Sequence, residues 1–355
     1  MTDRDKQPRM GSVLTFTKRN GTHSYIFRHL TRKRLANYIT VKIEKRLRRS
    51  FLRGLPYNII VDTCNICNFN CPLCRTGAML NSREKGMMSF ANFKRFIDPL
   101  AEHALLLTLH NWGEPFLNRD VYKMIAYANS KGLATRLSSN LYAMDHQDLE
   151  RVVDSGLNHI TVSLDGAGEE TYVKYRVGGH FEQVFDNLKT LIEIKRRRRS
   201  PFPVVEWQFL VMRHNEHEIP DVRGLADEIG VDVLTLGPIG FGEAPYDGTY
   251  NHELGEEWLP RHNLEYRYRY DGGFLYDAPC FFLWESVTLN WDGGLAPCCV
   301  LDDQRQDFGN VLEEPVKSIW NNEFYQSSRS EFNTRLKGKT GCRTACLHCK
   351  VFRKR

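Results

Sequence analysis

The chain of 355 residues has no long hydrophobic run and no apolar segment near its first residues. No apolar stretch approaches the roughly 20 residues that a membrane-spanning helix needs. The start, M-T-D-R-D-K, lacks the apolar core of a secretory signal, so we expect the protein to be cytoplasmic. In a reducing compartment, its ten cysteines are expected to bind metal rather than to form disulfides.

Three of the cysteines are closely spaced. Cys67, Cys71 and Cys74 stand in the run C-N-F-N-C-P-L-C. Three thiolates can hold three corners of a four-iron four-sulfur cluster, which normally takes four cysteines. The spacing therefore predicts a cluster with one iron open to another ligand, because a zinc site usually uses two separated pairs of ligands. Cys64 forms a competing C-X2-C with Cys67, and we expect it to be a buried thiol at a strand end.

From about residue 56 the chain alternates short apolar strands with amphipathic helices. The predicted strands are N-I-I-V-D, L-L-L-T-L-H, A-T-R-L-S-S, H-I-T-V-S-L, V-V-E-W-Q-F-L-V and V-D-V-L-T-L. The predicted helices lie near residues 89–103, 119–131, 145–155, 180–199 and 217–229. Six repeats of strand then helix predict an α/β fold, a partial (β/α)6 TIM-like barrel whose chemistry sits at the carboxyl ends of the strands.

Polar residues at these strand ends complete a resemblance that the three-cysteine run begins. A G-E-P segment follows the second strand, polar residues end the third and fourth strands, and an arginine stands in Y-R-V-G-G. This set resembles the motifs of radical S-adenosylmethionine (SAM) enzymes, although Trp112 replaces the first glycine of their G-G-E-P motif. The candidate SAM-binding residues are Gly113, Glu114, Pro115, Ser138, Asn140, Ser163, Asp165 and Arg176.

The resemblance implies how these residues are used. SAM would chelate the open iron through its amino and carboxylate groups, with the G-E-P segment receiving the amino group and Arg176 pairing with the carboxylate. Ser138 and Asn140 would lie near the ribose. An electron from a flavodoxin- or ferredoxin-type donor would cleave SAM to a 5′-deoxyadenosyl radical, which abstracts a hydrogen atom from the substrate.

The other six cysteines lie after residue 279 and predict a second metal site. Gly293 and Gly294 form a predicted hairpin turn between two of them, and a C-X2-C stands near the end of the chain. This part resembles the auxiliary-cluster domains called SPASM and twitch. The resemblance implies one auxiliary [4Fe-4S] cluster, with a structural zinc as the alternative. The expected ligands are Cys280, Cys298, Cys346 and Cys349, which leaves Cys299 and Cys342 free or as substitutes.

The sequence thus divides into four predicted segments. They are a basic N-terminal extension with an amphipathic helix (1–55), the radical SAM partial barrel (56–240), a linker or lid (241–279) and the auxiliary-cluster domain (280–355). No separate small peptide-binding domain is evident. We therefore expect a small substrate, sugar-like or phosphorylated, and a peptide-modifying maturase is the alternative. A non-catalytic zinc or iron–sulfur protein is the alternative from a different class.

The fate of the substrate radical stays open at this point. Electron transfer to the auxiliary cluster would make the reaction a dehydrogenation. Return of a hydrogen atom from Cys299, Cys342 or Cys64 would make it an epimerisation. Glu206 and Gln208 alternate with apolar residues on the fifth predicted strand, so they are expected to face the barrel interior and to orient substrate or SAM.

The N-terminal extension carries the chain's excess of positive charge. Residues 1–53 contain fifteen Lys or Arg and three acidic residues. Five apolar residues recur every four positions among the basic ones, which predicts an amphipathic helix; they are Leu35, Ile39, Ile43, Leu47 and Phe51. We expect this stripe to pack on the barrel, with contact to an anionic membrane as the alternative. No stacking or groove-reading motif accompanies the charge, so nucleic acid is not expected as a partner.

Overall fold

The structure, a computed structural model, describes residues 14–17, 24–239, 256–267, 279–337, 342–349 and 352. Most of the predicted linker or lid at 241–279 lies outside these residues. Nine described strands form one sheet in the order β1-β7-β6-β5-β4-β3-β2-β8-β9. They are β1 (Leu14–Thr17), β2 (Asn58–Val61), β3 (Leu106–Thr108), β4 (Ala134–Ser139), β5 (His159–Ser163), β6 (Val204–Val211), β7 (Val233–Pro238), β8 (Ser286–Leu289) and β9 (Leu295–Ala296).

Strands β2 to β7 are parallel and follow one another in chain order, which confirms the predicted (β/α)6 partial barrel. The two flanks differ from that plan. β1 pairs antiparallel with β7, and β8 pairs parallel with β2 before turning back into β9. The C-terminal segment therefore extends the barrel sheet, because all four residues of β8 are buried and its backbone groups bond to the otherwise open edge of β2.

Helices close to the predicted positions connect the parallel strands, and further helices lie before and after the barrel. They are α1 (Arg32–Arg46), α2 (Phe90–Ile97), α3 (Val121–Ser130), α4 (His146–Asp154), α5 (Glu169–Tyr175), α6 (Phe181–Arg197), α7 (Ile219–Ile229), α8 (Phe282–Glu285), α9 (Val316–Ile319) and α10 (Glu323–Ser330). Helices α5, α8, α9 and α10 were not predicted, since elements of four to eight residues span too few turns for a clear period. None of the helices in the described ranges is long and apolar enough to cross a bilayer.

The two faces of the sheet have opposite character. Trp207 and Phe209 of β6 are fully buried under the helices, and Trp207 contacts Phe185 of α6 with ring centroids 6.0 Å apart. Their neighbours Glu206 and Gln208 face the other way, into the concave side of the sheet, which we call the lumen. The polar lumen is thus surrounded by an apolar outer layer.

A buried hydrogen-bond network closes the amino-terminal end of the lumen. Tyr25 comes from the N-terminal extension, and its hydroxyl lies 3.0 Å from Nδ1 of His159. The other ring nitrogen of His159 lies 2.7 Å from the Glu206 carboxylate, which also accepts from Thr161 and Thr235. Glu206 therefore forms part of this floor, where both of its carboxylate oxygens take part in hydrogen bonds within the protein. The Glu206 side chain faces the lumen, and its predicted role in orienting substrate or SAM stays a prediction.

Buried arginines join the C-terminal part to the barrel. Arg83 follows the cysteine loop and pairs with Asp292 at 2.5 Å and Asp307 at 2.7 Å. Arg329 of α10 is fully buried, stacks on Trp320 and donates to the carbonyl of Ser50. These contacts fix the C-terminal cysteines relative to the barrel.

The predicted packing of helix α1 is wrong. Its apolar stripe is exposed, with exposed fractions of 43% at Leu35 and 52% at Ile43. The helix instead packs on the barrel through the opposite face, where Arg34, Asn37 and Glu44 are buried. Side-chain hydrogen bonds to backbone groups stabilise that polar contact.

Candidate functional site

The three-cysteine loop follows β2 at the carboxyl end of the barrel. Its backbone is folded on itself, with the Cys74 amide donating to the Cys71 carbonyl at 3.1 Å. The Phe69 amide points at Cys67 Sγ, 3.4 Å away. Amide donors of this kind stabilise thiolates that bind iron, so the loop fits an iron–sulfur cluster held by Cys67, Cys71 and Cys74.

Cys64 lies apart from this set. It is buried, and its thiol donates to the carbonyl of Glu114 at 3.1 Å. Burial raises the pKa of this thiol to about 12. Cys64 therefore sits behind the loop as a neutral thiol, in the place the sequence predicted for it.

The G-E-P segment packs directly on the cysteine loop. The Glu114 amide donates to the Ile66 carbonyl at 2.9 Å. A Cβ at Gly113 would lie 2.6 Å from the Ile66 carbonyl oxygen and still closer to that of Cys64. Only glycine allows this approach, because both neighbours are backbone atoms that cannot rotate away.

Replacing Gly113 by Ala is expected to move the G-E-P segment off the loop and to reduce 5′-deoxyadenosine formation by at least about tenfold, since a small misplacement of reacting groups costs that much. The assay is anaerobic cleavage of SAM with a chemical reductant, with product quantified by chromatography. Gly168→Ala is the matched control, because nothing lies within 4 Å of a Cβ there. Equal activity of the two variants would contradict this role.

The Glu114 carboxylate has a different environment from the one the resemblance implied. It is buried and accepts from Ser139 Oγ and the Asn140 amide, both at 2.8 Å, and from the Phe116 amide at 3.2 Å. Burial raises its pKa. With its oxygens engaged, Glu114 ties the end of β4 to the G-E-P segment.

The carboxyl ends of β4 and β5 lie beside the loop. Asn140 donates to Asn68 Oδ1 at 2.9 Å, and its amide nitrogen lies 4.0 Å from Cys67 Sγ. Ser138 and Ser163 lie with their hydroxyl oxygens 3.3 Å apart. Asn140 thus contacts the cysteine loop, and Ser138 and Ser163 contact each other.

Arg176 is held by a buried carboxylate. Its Nε donates to Asp165 at 2.6 Å, and its second terminal nitrogen completes a two-point contact at 2.5 Å. The remaining nitrogen, Nη1, lies 3.9 Å from Cys71 Sγ. Asp165 therefore fixes the guanidinium so that one edge faces the cluster site, where a carboxylate ligand fits.

Two lumen residues were missed by the sequence reading. His110 follows β3, and its Nδ1 accepts from the Ser138 amide at 3.0 Å. Arg136 of β4 donates through Nε to Thr108 at 2.9 Å. Burial, then Arg136, lowers the pKa of His110 to about 3, so the ring is neutral. Arg136 stands two residues before Ser138, so the alternation of β4 that places Ser138 in the lumen also predicts Arg136 there.

The C-terminal cysteines surround an apolar cavity of about 90 Å³. Burial raises the pKa of Cys280 and Cys298, because a lone thiolate is poorly solvated there. A cationic cluster would remove that penalty, so the cavity fits one. Among the described residues, no three His, Cys, Asp or Glu side chains converge closely enough to hold a single metal ion. The cysteines lining the cavity are Cys280, Cys298, Cys346 and Cys349.

The two remaining cysteines, Cys299 and Cys342, lie in different surroundings. Cys299 does not line the cavity. Burial raises the pKa of its thiol to about 11, and a backbone hydrogen bond and the Arg136 guanidinium partly offset the rise. Cys342 is only half-buried, and its carbonyl accepts from Ser327.

Family comparisons agree with both cysteine sites. Residues 61–224 match the model of the radical SAM superfamily. Residues 280–350 match the iron-sulfur cluster-binding domain called SPASM.

Similar proteins include enzymes with different substrates. An AdoMet-dependent heme synthase of Methanosarcina barkeri is 27% identical over 321 residues, 80% of this chain and 88% of the relative. A PqqA peptide cyclase of Bradyrhizobium diazoefficiens is 24% identical over 199 residues, 56% of this chain and half of the relative. The solved structure of Streptococcus suis SuiB bound to S-adenosylmethionine has a TM-score of 0.60 at 14% identity, covering 88% of this chain and 76% of SuiB. The similarity between this chain and SuiB is a similarity of fold.

Proposed function

Because this chain belongs to the radical SAM superfamily and carries a C-terminal SPASM iron–sulfur domain, we propose that it oxidises a small anionic substrate bound in its barrel lumen. The substrate class is sugar-like or phosphorylated. The observation that carries this proposal is Arg136, a guanidinium that projects into the lumen with only its Nε bonded to Thr108 among the contacts described.

When bound, the [4Fe-4S] cluster and SAM would supply the 5′-deoxyadenosyl radical that takes a hydrogen atom from a substrate carbon. The auxiliary cluster, when bound, would supply the acceptor for the electron that leaves afterwards. The chain's own residues bind and orient these groups. Cys67, Cys71 and Cys74 leave one coordination position open, and Arg176 presents a guanidinium edge beside Cys71 for the SAM carboxylate.

Arg136 would anchor the substrate. Its two terminal nitrogens form a planar fork that suits phosphate or carboxylate oxygens. Neutral His110 and the side chain of Gln208 lie on the same lumen surface and offer uncharged hydrogen bonds. One charged anchor with neutral polar neighbours suits a small polar molecule with a single anionic group.

Loss of one electron and one proton from the substrate radical would convert an alcohol carbon to a carbonyl. The four-cysteine cavity supports this outcome, because its apolar wall suits a cluster that exchanges electrons rather than ligands. The protein would then need a carrier such as a flavodoxin or ferredoxin to supply the first electron.

Epimerisation is the second candidate, and Cys299 favours it. Cys299 does not line the four-cysteine cavity, so its thiol is available as a hydrogen-atom donor. Transfer of its hydrogen atom to the opposite face of the substrate carbon would leave a sulfur radical, which needs one electron and one proton from the same carrier to regenerate. Cys342 and Cys64 are the weaker hydrogen-atom donors. Cys342 is half-buried beside Ser327, and the Cys64 thiol donates a hydrogen bond to the Glu114 carbonyl.

The two relatives are named for reactions on different kinds of molecule. A heme synthase is named for a compact cofactor, and a peptide cyclase for a peptide. Anion recognition by Arg136 is compatible with the carboxylates of a heme-like substrate. A peptide-modifying reaction is the alternative, in which the lumen receives one side chain of the peptide.

Replacing Arg136 by Gln is expected to weaken substrate-stimulated 5′-deoxyadenosine formation by about tenfold to a hundredfold, the usual effect of losing a charged hydrogen bond. The assay screens sugar phosphates, nucleotide sugars and their unphosphorylated counterparts for stimulation above the background without substrate. That background should not change. Arg305→Gln is the control, since Arg305 is exposed and pairs only with the nearby Asp303 among the described contacts.

Mass spectrometry of the product formed in D2O separates the outcomes. A product two mass units lighter than the substrate supports dehydrogenation. A product one unit heavier, lost in Cys299→Ala, supports epimerisation instead. Stimulation by peptides alone, or equal stimulation of wild type and Arg136→Gln, would contradict the proposed substrate class.

A further inference from the structure

Helix α1 packs on the barrel through a face that carries the buried polar residues Arg34, Asn37 and Glu44. Arg34 donates to the backbone carbonyls of Ala101, Lys131 and Gly132. Asn37 exchanges two hydrogen bonds with the backbone of Leu55, both of 2.9 Å. These directional contacts fix the rotation of the helix about its axis, so the exposure of its other face is built into the fold.

The outward face carries a continuous apolar surface. Seven large apolar side chains on and beside α1 are exposed, with fractions between 40% and 58%. They are the five residues of the stripe, Leu35, Ile39, Ile43, Leu47 and Phe51, together with Phe27 and Leu30. A helix of fifteen residues is about 22 Å long, so the stripe is a large patch rather than a few scattered side chains.

Positive charge surrounds the stripe. Residues 32–53 contain nine Lys or Arg and one acidic residue, Glu44, which is buried. Spacings of three and four place Arg32 and Arg46 on the same helix face as Ile39 and Ile43. No acidic partner for Arg32, Arg46 or Arg49 is present among the contacts of the described residues, and all three are exposed.

We propose that this face of α1 docks on the surface of an anionic lipid bilayer. Apolar side chains between arginines are the arrangement of interfacial helices, whose apolar residues enter the headgroup region while the cations bind lipid phosphates. A second copy of the chain is a poor occupant, because it would bring two sets of unpaired arginines together.

The docking face lies away from the radical chemistry. α1 contacts Ala101, Lys131 and Leu55, which precede β3, β4 and β2 respectively, and therefore lies at the amino-terminal end of the barrel strands. The cysteine loop lies at their carboxyl ends. A docked molecule would keep its lumen opening directed away from the bilayer, so docking and SAM cleavage are independent.

The test uses the full chain and sedimentation with vesicles of phosphatidylcholine, with and without phosphatidylglycerol. Binding is expected only with phosphatidylglycerol present, and it should fall as salt shortens the screening length from about 10 Å at 0.1 M toward 3 Å at 1 M. The variant I39S/I43S/L47S should bind at least about tenfold more weakly. The control L264S/L336S replaces two exposed leucines outside α1 and should bind like the wild type.

The same variants give readouts that would overturn the proposal. Absence of binding to phosphatidylglycerol vesicles at low salt would do so, as would equal binding by I39S/I43S/L47S. A lower melting temperature for that variant would show that the stripe is packed. A wild-type dimer that becomes monomeric in the variant would show that a second copy covers it. SAM cleavage should be the same in all of these proteins.

Discussion

Replacing Cys67, Cys71 or Cys74 by Ala is expected to abolish 5′-deoxyadenosine formation. Each substitution removes one of only three protein ligands to a cluster that normally takes four. The remaining two thiolates would not keep the cluster in place with an open iron. The measurement is anaerobic SAM cleavage after reconstitution with iron and sulfide, compared with wild type under the same conditions.

Cys64→Ala is the matched control for this series. Cys64 lies three residues before Cys67, but its thiol donates to the Glu114 carbonyl and is buried. Its loss should leave most of the cleavage activity. Retained cleavage in any of the three ligand variants, or a loss in Cys64→Ala equal to theirs, would contradict the ligand assignment.

Removal of the four cavity cysteines is expected to have the second largest effect. The variant C280S/C298S/C346S/C349S should lose about four irons while keeping the SAM cluster. Substrate oxidation should stop, because the electron from the substrate radical then has no acceptor. Cleavage of SAM without substrate turnover should persist. Iron and sulfide analysis together with product detection measures all three quantities.

The complementary variant and one control complete this test. C67A/C71A/C74A should retain about four irons at the C-terminal cavity. Cys342→Ser removes a cysteine that does not line the cavity, and its iron content should equal that of the wild type. Zinc in place of iron at the cavity, after anaerobic purification from iron-replete cells, would contradict the auxiliary-cluster assignment. About eight irons there would indicate two auxiliary clusters.

Local sequence patterns predicted the barrel well. The apolar and polar alternation of β6 reproduces its structural bounds, because its outward residues pack under helices and its inward residues face the polar lumen. Ser138 and Ser163 lie at the carboxyl ends of β4 and β5, and Asn140 directly follows β4. Parallel strands bring their carboxyl ends to one edge, so position in the chain determines position in the site.

Long-range contacts account for what the sequence did not predict. Glu206 was expected to orient a ligand, but His159 and Thr235 occupy its carboxylate, and Tyr25 reaches the same network from 134 residues away. No local pattern reports such partners. The carboxylate of Glu114 is similarly committed to Ser139 and Asn140.

Helix α1 shows where a general rule failed. Its apolar period was recognised, and a packed stripe was the natural expectation for a surface helix. The structure uses Arg34 and Asn37 to hold the helix through backbone carbonyls, which no periodicity analysis weighs. The same period is compatible with a stripe that faces a partner outside the chain.

The open iron is the central feature of this account, and electron paramagnetic resonance of the reduced protein tests it most directly. Adding SAM to the reduced C280S/C298S/C346S/C349S variant, which would hold only the cluster of Cys67, Cys71 and Cys74, should shift the signal of that cluster, because SAM becomes a ligand to its open iron. The variant C67A/C71A/C74A should show no such shift. An unchanged signal in the first variant, or the same shift in the second, would contradict the account.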